Sequence, residues 1–221
     1  MHPTPRSTPY FPPADAGLTV VHCDALLLVV DKPAGLLTVP GRGDDKADCL
    51  SARVQAVYPD ALIVHRLDMA TSGLVVFGRG IDAQRRLSRV FEHRHVSKRY
   101  VAVVAGAVLD DAGEIDLPLM ADWPNRPRQK VDAIQGKPAL TRFTVLARGP
   151  DFTRVALEPV TGRTHQLRAH LQAIGHPILG DALYAGEAAA RAPRLLLHAE
   201  ALTLPHPDDG RPMVFDSPAP F

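Results

Sequence analysis

Apolar residues in this chain fall in short runs bounded by turn residues, and that spacing limits the fold more than any other feature. Leu26–Val30 is an unbroken apolar run stopped by Asp31-Lys32-Pro33, the pattern of a strand covered on both faces. Leu74–Phe77 and the β-branched stretch Tyr100–Val108 read the same way, and Gly35–Pro40 reads as a short extended piece. Arg142–Ala147 and Phe152–Pro159 alternate around Gly149-Pro150 as a hairpin, with Leu195–Leu204 as a last strand. Helical spacing is confined to three stretches. Asp48–Tyr58 brings Leu50, Val54 and Val57 together; Asp82–His93 puts Ala83, Leu87, Val90 and Phe91 on one side and Arg85, Arg86 and Arg89 on the other. Thr164 can cap a helix to Ile174, with Leu167, Leu171 and Ile174 inward and Gly175 and Pro177 at its end. Many strands and few helices, without regular alternation, predict an α+β fold on a mixed or antiparallel sheet.

Residues 1–17 hold little periodicity and are rich in proline, so they are expected to form a flexible tail, with 18–221 as a single domain. The chain has 221 residues, 46% hydrophobic and 22% charged, enough for one substantial core. No run nears the roughly 18 apolar residues of a membrane span, and prolines stand where a signal peptide carries its apolar block. A soluble cytoplasmic protein is expected. Cys23 and Cys49 form no C-x-x-C pair and are expected to be buried, reduced thiols.

A formal net charge of +1 does not announce a nucleic-acid binder. The distribution says more. There are 20 Arg against 5 Lys, and guanidinium is the group that grips phosphate in a fork and stacks on bases. Arg79, Arg85, Arg86, Arg89, Arg94, Lys98 and Arg99 lie close together, followed by Arg126, Arg128 and Lys130, while the acidic residues cluster elsewhere. A near-neutral chain can therefore present one positive face to a phosphate backbone.

Two constellations can carry chemistry. His65-Arg66-Leu67-Asp68-Met69-Ala70-Thr71-Ser72-Gly73 gathers a cation, a carboxylate and two hydroxyls on a loop between strands. By spacing alone, Asp68 is either a reactive carboxylate or a turn cap. A paired-aspartate protease needs a second such turn, and Ser72 lacks a nucleophile elbow. Thr161-Gly162-Arg163-Thr164-His165-Gln166-Leu167-Arg168 is a glycine turn into a helix start. It suits an anion, or one of its guanidinium groups can point back to a buried Asp; a solvated basic helix start fits as well. His165 and His170 are five apart, off the spacing of paired ligands on one helical face, and no phosphate-binding glycine loop is present. Neither a metal nor another cofactor is expected.

The H-R-L-D-x-x-T-S-G element at His65–Gly73 resembles the catalytic signature of the RluA family of pseudouridine synthases. Lys98-Arg99-Tyr100, Gly162–Arg168, His176–Asp181 and Leu195–Ala199 resemble its other motifs, in the same order. Within that family, Asp31–Leu36 and Asp122–Pro127 are most similar to members with dual specificity for large-subunit ribosomal RNA and the anticodon stem-loop of certain tRNAs. The resemblance implies a catalytic domain with a mostly antiparallel sheet core, flanking helices and a central cleft; the S4 domain of many relatives is not expected here, because few residues precede the first strand. It also implies isomerisation of uridine to pseudouridine after base flipping, started by Asp68 as nucleophile or proton acceptor. Tyr100 then stacks under the uracil, Arg168 pairs with Asp68, and Arg66 fills the gap left in the RNA stack. His65, Thr71, Arg163 and the basic groups Arg85, Arg86, Arg89, Arg126, Arg128 and Lys130 complete the expected RNA contacts. A monomer is expected. The rival readings are a non-catalytic RNA-binding module and a hydrolytic N-glycosidase using Asp68.

Overall fold

The computed structural model describes residues 10–221. Its architecture rests on twelve strands: β1 (Thr19–Cys23), β2 (Leu27–Lys32), β3 (Ala61–Ile63), β4 (Ser72–Arg79), β5 (Ser97–Ala105), β6 (Ala112–Asp116), β7 (Leu119–Ala121), β8 (Gln129–Val131), β9 (Leu140–Arg148), β10 (Phe152–Pro159), β11 (Leu197–Pro205) and β12 (Pro212–Asp216). Three α-helices accompany them, α1 (Leu50–Val57), α2 (Ile81–Glu92) and α3 (Gln166–Ala173). Ten strands form one sheet in the order β1-β2-β4-β11-β5-β10-β9-β6, with β12 on β11 and β3 on β4, and β7 and β8 form a separate hairpin. Every pairing in the large sheet is antiparallel except β4 with β11. The fold is α+β, as expected.

The apolar runs explain the layering. On β2, Leu28 and Val30 face one core with Val75, Phe77 and the α1 residues Leu50 and Val54. Leu27 and Val29 face the other, with Leu74, Val76 and Leu87 of α2. Continuous hydrophobic strands are thus covered on both sides, by a helix on each. A third core lies under α3, where Leu167 and Leu171 meet Val155, Leu157, Ala102 and Val104.

The parallel seam is short, pairing His198 with Ser72 and Ala199 with Gly73. Gly73 has φ 117°, and a Cβ there would lie 2.4 Å from the Ala199 carbonyl oxygen, so only glycine lets the two strands approach. Ala199 also pairs with Tyr100 on β5. The loop that enters β4 and the tyrosine on β5 therefore face one another across a single strand.

Several expectations need correction. Gly35–Pro40 is not a strand: Gly35 N–H donates to the Met69 carbonyl, and Thr38 Oγ1 both donates to the Leu67 carbonyl and accepts from its N–H. Its polar groups hold the Asp68 loop instead of a sheet ladder. Thr164 does not cap α3; His165 occupies that position in the left-handed region at φ 51°, with no side-chain cap. Ile174 lies beyond the helix and is partly exposed. Leu197–Pro205 is not the last strand, since the chain turns at Gly210 to add β12. Cys23 is exposed, because it ends the edge strand β1, whereas Cys49 is buried. Residues 1–9 of the expected tail lie outside the described part. Of the remainder, the Tyr10 hydroxyl donates to the Asp48 carbonyl and accepts from Leu37 N–H, and the Pro13 carbonyl accepts from Arg53. Among the described residues no helix is long and apolar enough to cross a membrane.

Candidate active site

Asp68 stands where two cavities meet. A cleft of about 450 Å³ is lined by Arg66, Asp68, Thr71, Tyr100, Arg163 and Arg168, among others. A second, about 680 Å³, shares Arg66, Leu67, Asp68, His165 and Arg168 with it and continues past Leu37 and Pro127. The first cleft gathers Arg66, Arg94, Lys98, Arg163 and Arg168 against only Asp68 and Glu92. The near-neutral chain therefore does concentrate positive charge in the cleft that holds Asp68.

The loop carrying Asp68 is tied from below. Lys32, fully buried at the end of β2, donates from Nζ to the carbonyls of Pro33, Leu36 and Met69. Burial pushes its pKa down to about 7, opposed by Asp68 and Asp31. Three carbonyls match the three donors of an ammonium group. With Thr38 gripping Leu67 and Thr71 N–H closing a turn onto the Asp68 carbonyl at 3.1 Å, the loop is fixed on both sides of the carboxylate.

Arg168 holds the carboxylate itself. Its Nη1 donates to Asp68 Oδ2 at 3.2 Å, while Nε and Nη2 donate to the two oxygens of Asp181 at 2.8 and 2.7 Å. Burial works against its charge, but Asp181 and then Asp68 outweigh it, and its pKa is raised. His165 Nε2 faces the same Oδ2 at 3.7 Å. Both cationic or donor neighbours thus sit on Oδ2, and among the described residues no hydrogen bond or ion pair holds Oδ1.

Tyr100 lines the cleft between two cores. Burial, and then the nearby Asp68, raise its phenol pKa, so it stays neutral. His65 packs its ring on Phe91 at 4.5 Å and accepts the Val76 N–H at Nε2. Burial, with Lys98 nearby, lowers its pKa to about 3, keeping it a neutral acceptor. It orients the loop from α2 and β4, while the adjacent Arg66 is exposed and lines the cleft.

The remaining expected contacts divide. Arg163 lines the cleft, its Nε donating to the Pro138 carbonyl. Arg85, Arg86 and Arg89 do not line it; Arg85 lies 3.8 Å from Asp82 and Arg86 donates to the Pro207 carbonyl. Only the far end of α2 reaches the rim, through Phe91 and Glu92, with Arg94 following. Arg126, Arg128 and Lys130 lie on the β7–β8 hairpin, beside Pro127 at the second cavity. Arg126 stacks over Trp123, and Arg128 over Tyr184.

Lys32 and Asp181 fall inside the motif stretches Asp31–Leu36 and His176–Asp181, but neither they nor Tyr184 are among the site residues expected from the sequence. A lysine closing an unbroken apolar run was a signal for the first. For Asp181, the hint was that an arginine in the helix start could point back to a buried Asp; two carboxylates, not one, answer it.

A family model described as RNA pseudouridylate synthase matches residues 26–173. The dual-specificity RNA pseudouridine synthase RluA of Escherichia coli strain K12 is 52% identical over 214 residues, covering 96% of this chain and 98% of that protein. Its namesake in Haemophilus influenzae is 48% identical over the same span. Among solved structures, human RNA pseudouridylate synthase domain containing 1 superposes with a TM-score of 0.80 at 30% identity, over 96% of this chain and 87% of that one. With an aspartate-centred basic cleft and these relatives along nearly its whole length, the chain belongs to the RNA pseudouridylate synthase family and isomerises uridine to pseudouridine in RNA.

Proposed function

We propose that Asp68 starts the glycosidic bond exchange on a uridine extruded into the cleft, and that the substrates are loops of large-subunit ribosomal RNA and the anticodon stem-loop of certain tRNAs. The carrying observation is that Arg168 engages Asp68 only through Oδ2. One carboxylate oxygen is anchored beside a buried cation, and the other meets the ligand. Tyr100 offers its ring to the flipped uracil, a contact worth roughly 1–3 kcal/mol per base. Arg66 replaces the lost stacking, which offsets part of an unstacking cost of a few kcal/mol. Arg163, Thr71 and His65 shape the cleft. The outer face of α2, with Arg85, Arg86 and Arg89, and the hairpin cations Arg126, Arg128 and Lys130 extend the contact along the phosphate backbone. The reading of dual substrates rests on the similarity to relatives bearing that name. The protein acts as a cytoplasmic monomer in this reading.

Asp68→Ala is expected to abolish pseudouridine formation on transcribed stem-loops while RNA affinity stays within about a few-fold. Mapping pseudouridines in total RNA from cells with and without the protein identifies the sites. Turnover retained in Asp68→Ala, or lost sites confined to another RNA class, would overturn the assignment.

A further inference from the structure

Behind the cleft, one tyrosine touches every group that touches Asp68 Oδ2. Tyr184 is buried, and its hydroxyl lies 2.9 Å from His165 Nδ1 while accepting the Gln129 N–H at 2.7 Å. Its ring meets the Arg168 guanidinium at 5.1 Å and the Arg128 guanidinium at 5.3 Å, and the edge of the His165 ring at 85°. Tyr184 N–H also donates to Asp181, the second partner of Arg168.

We propose, on the reading of Asp68 given above, that Tyr184 is a positioning residue which sets the tautomer of His165, so that a neutral imidazole presents its Nε2–H to Asp68 Oδ2.

Donor counting fixes that tautomer. Gln129 supplies a proton to the Tyr184 oxygen, so the single phenolic proton is left for the other polar atom this oxygen meets, His165 Nδ1. An Nδ1 that accepts leaves the ring proton on Nε2. Nε2 faces Oδ2 at 3.7 Å, just beyond hydrogen-bond length, and catalytic contacts of this kind tighten when the ligand is bound. His165 stands at the start of α3 in the left-handed region, and its side chain lines the cleft. Burial lowers the His165 pKa; Asp68 and Asp181 raise it, Arg168 and Arg66 lower it, and Tyr184 faces it without charge. A neutral N–H donor beside Arg168 then holds Oδ2 from a second direction without adding a second full charge. The tyrosine is itself held by β8, so the hairpin that carries Arg128 and Lys130 also supports the carboxylate.

Two measurements test this. In protein carrying ¹⁵N-histidine, two-bond proton-nitrogen spectra at neutral pH should show His165, assigned by its loss in His165→Gln, as the Nε2–H tautomer. Tyr184→Phe, which keeps the ring and its packing, should turn it into a tautomer mixture. An Nδ1–H or charged His165, or a tautomer unmoved by Tyr184→Phe, would overturn the proposal. On transcribed stem-loops, Tyr184→Phe should slow single-turnover pseudouridine formation about tenfold, the size of one hydrogen bond's contribution. RNA Kd should stay within about twofold. The double variant with His165→Gln should be no slower than His165→Gln alone; losses that multiply would mean the two act separately. If no RNA tested is modified even by the parent protein, the functional reading fails while the spectra still decide the tautomer.

Discussion

Arg168 places two of its nitrogens on Asp181 and reaches Asp68 with the third. Asp181 is fully buried, and its Oδ1 also accepts the N–H groups of Leu183 and Tyr184. The fork fixes the guanidinium plane before any ligand arrives, so the direction from which Asp68 is held is a property of the folded chain. Both carboxylates share one charge, which keeps the buried cation compensated.

Removing Asp181 takes away the two-point partner of that cation. Asp181→Ala leaves two nitrogens of a buried guanidinium and two backbone donors without acceptors, with only Asp68 still on the cation, and a cost of about 3–5 kcal/mol is expected for breaking a buried pair from one side. Urea denaturation at neutral pH measures it. Asp181→Asn keeps acceptor geometry on one oxygen and should lose less. Equal stability of Asp181→Ala and the parent would mean that the fork contributes no net stability.

The sheet was largely legible and the site only partly so, for one physical reason. Leu26–Val30 and Leu74–Phe77 carry their burial in their own composition, so strands on both sides of the site could be read from local pattern. Gly35–Thr38 could not, because the Gly35 N–H and the Thr38 hydroxyl are satisfied by the Met69 and Leu67 segments more than 25 positions away, and no local period records that. The same holds for Arg168, whose neighbours Asp68 and Asp181 come from different loops. Asp68, Tyr100 and Arg168 were named through ordered motifs, and the geometry brings all three to one cleft. Arg85, Arg86 and Arg89 were named through periodicity alone, which identifies an outer face without saying what lies opposite.

That face gives a salt-dependence test. Replacing Arg85, Arg86 and Arg89 together by Gln should weaken RNA binding and reduce the slope of log Kd against log salt by about two, since each single-strand phosphate that the three arginines neutralise adds roughly 0.7 to it. Filter binding across a salt series reads it. An unchanged slope would turn α2 away from the RNA.

His65 predicts acid sensitivity. Its folded-state pKa, lowered by burial to about 3, lies below the ordinary 6.5, so between those values the unfolded chain binds the extra proton. The contribution of this group is therefore intact above about 6.5 and is lost as pH falls toward 3, by at most ~1.4 kcal/mol per pH unit. His65→Gln offers a non-titrating acceptor to Val76 N–H. The parent should lose stability relative to that variant on acidification from 6.5, measured by chemical denaturation at each pH. Parallel stability profiles would mean the imidazole is solvated.

Lys32 predicts the opposite side of the pH scale. Its pKa, pushed down to about 7 from 10.5, means that the unfolded chain holds a proton the folded chain has released between those values. Parent stability relative to Lys32→Met should therefore rise with pH from about 7 to about 10. The Met variant also leaves the carbonyls of Pro33, Leu36 and Met69 without their shared donor, and these carbonyls flank the Asp68 loop. At pH 7 it should be less stable by about 1–3 kcal/mol, the cost of unsatisfied buried acceptors, and it should lose pseudouridine formation more than RNA affinity. A stability difference that stays flat from pH 7 to 10 would show instead that three carbonyls keep the ammonium charged against burial, and Lys32 would then be a permanent cation beneath Asp68.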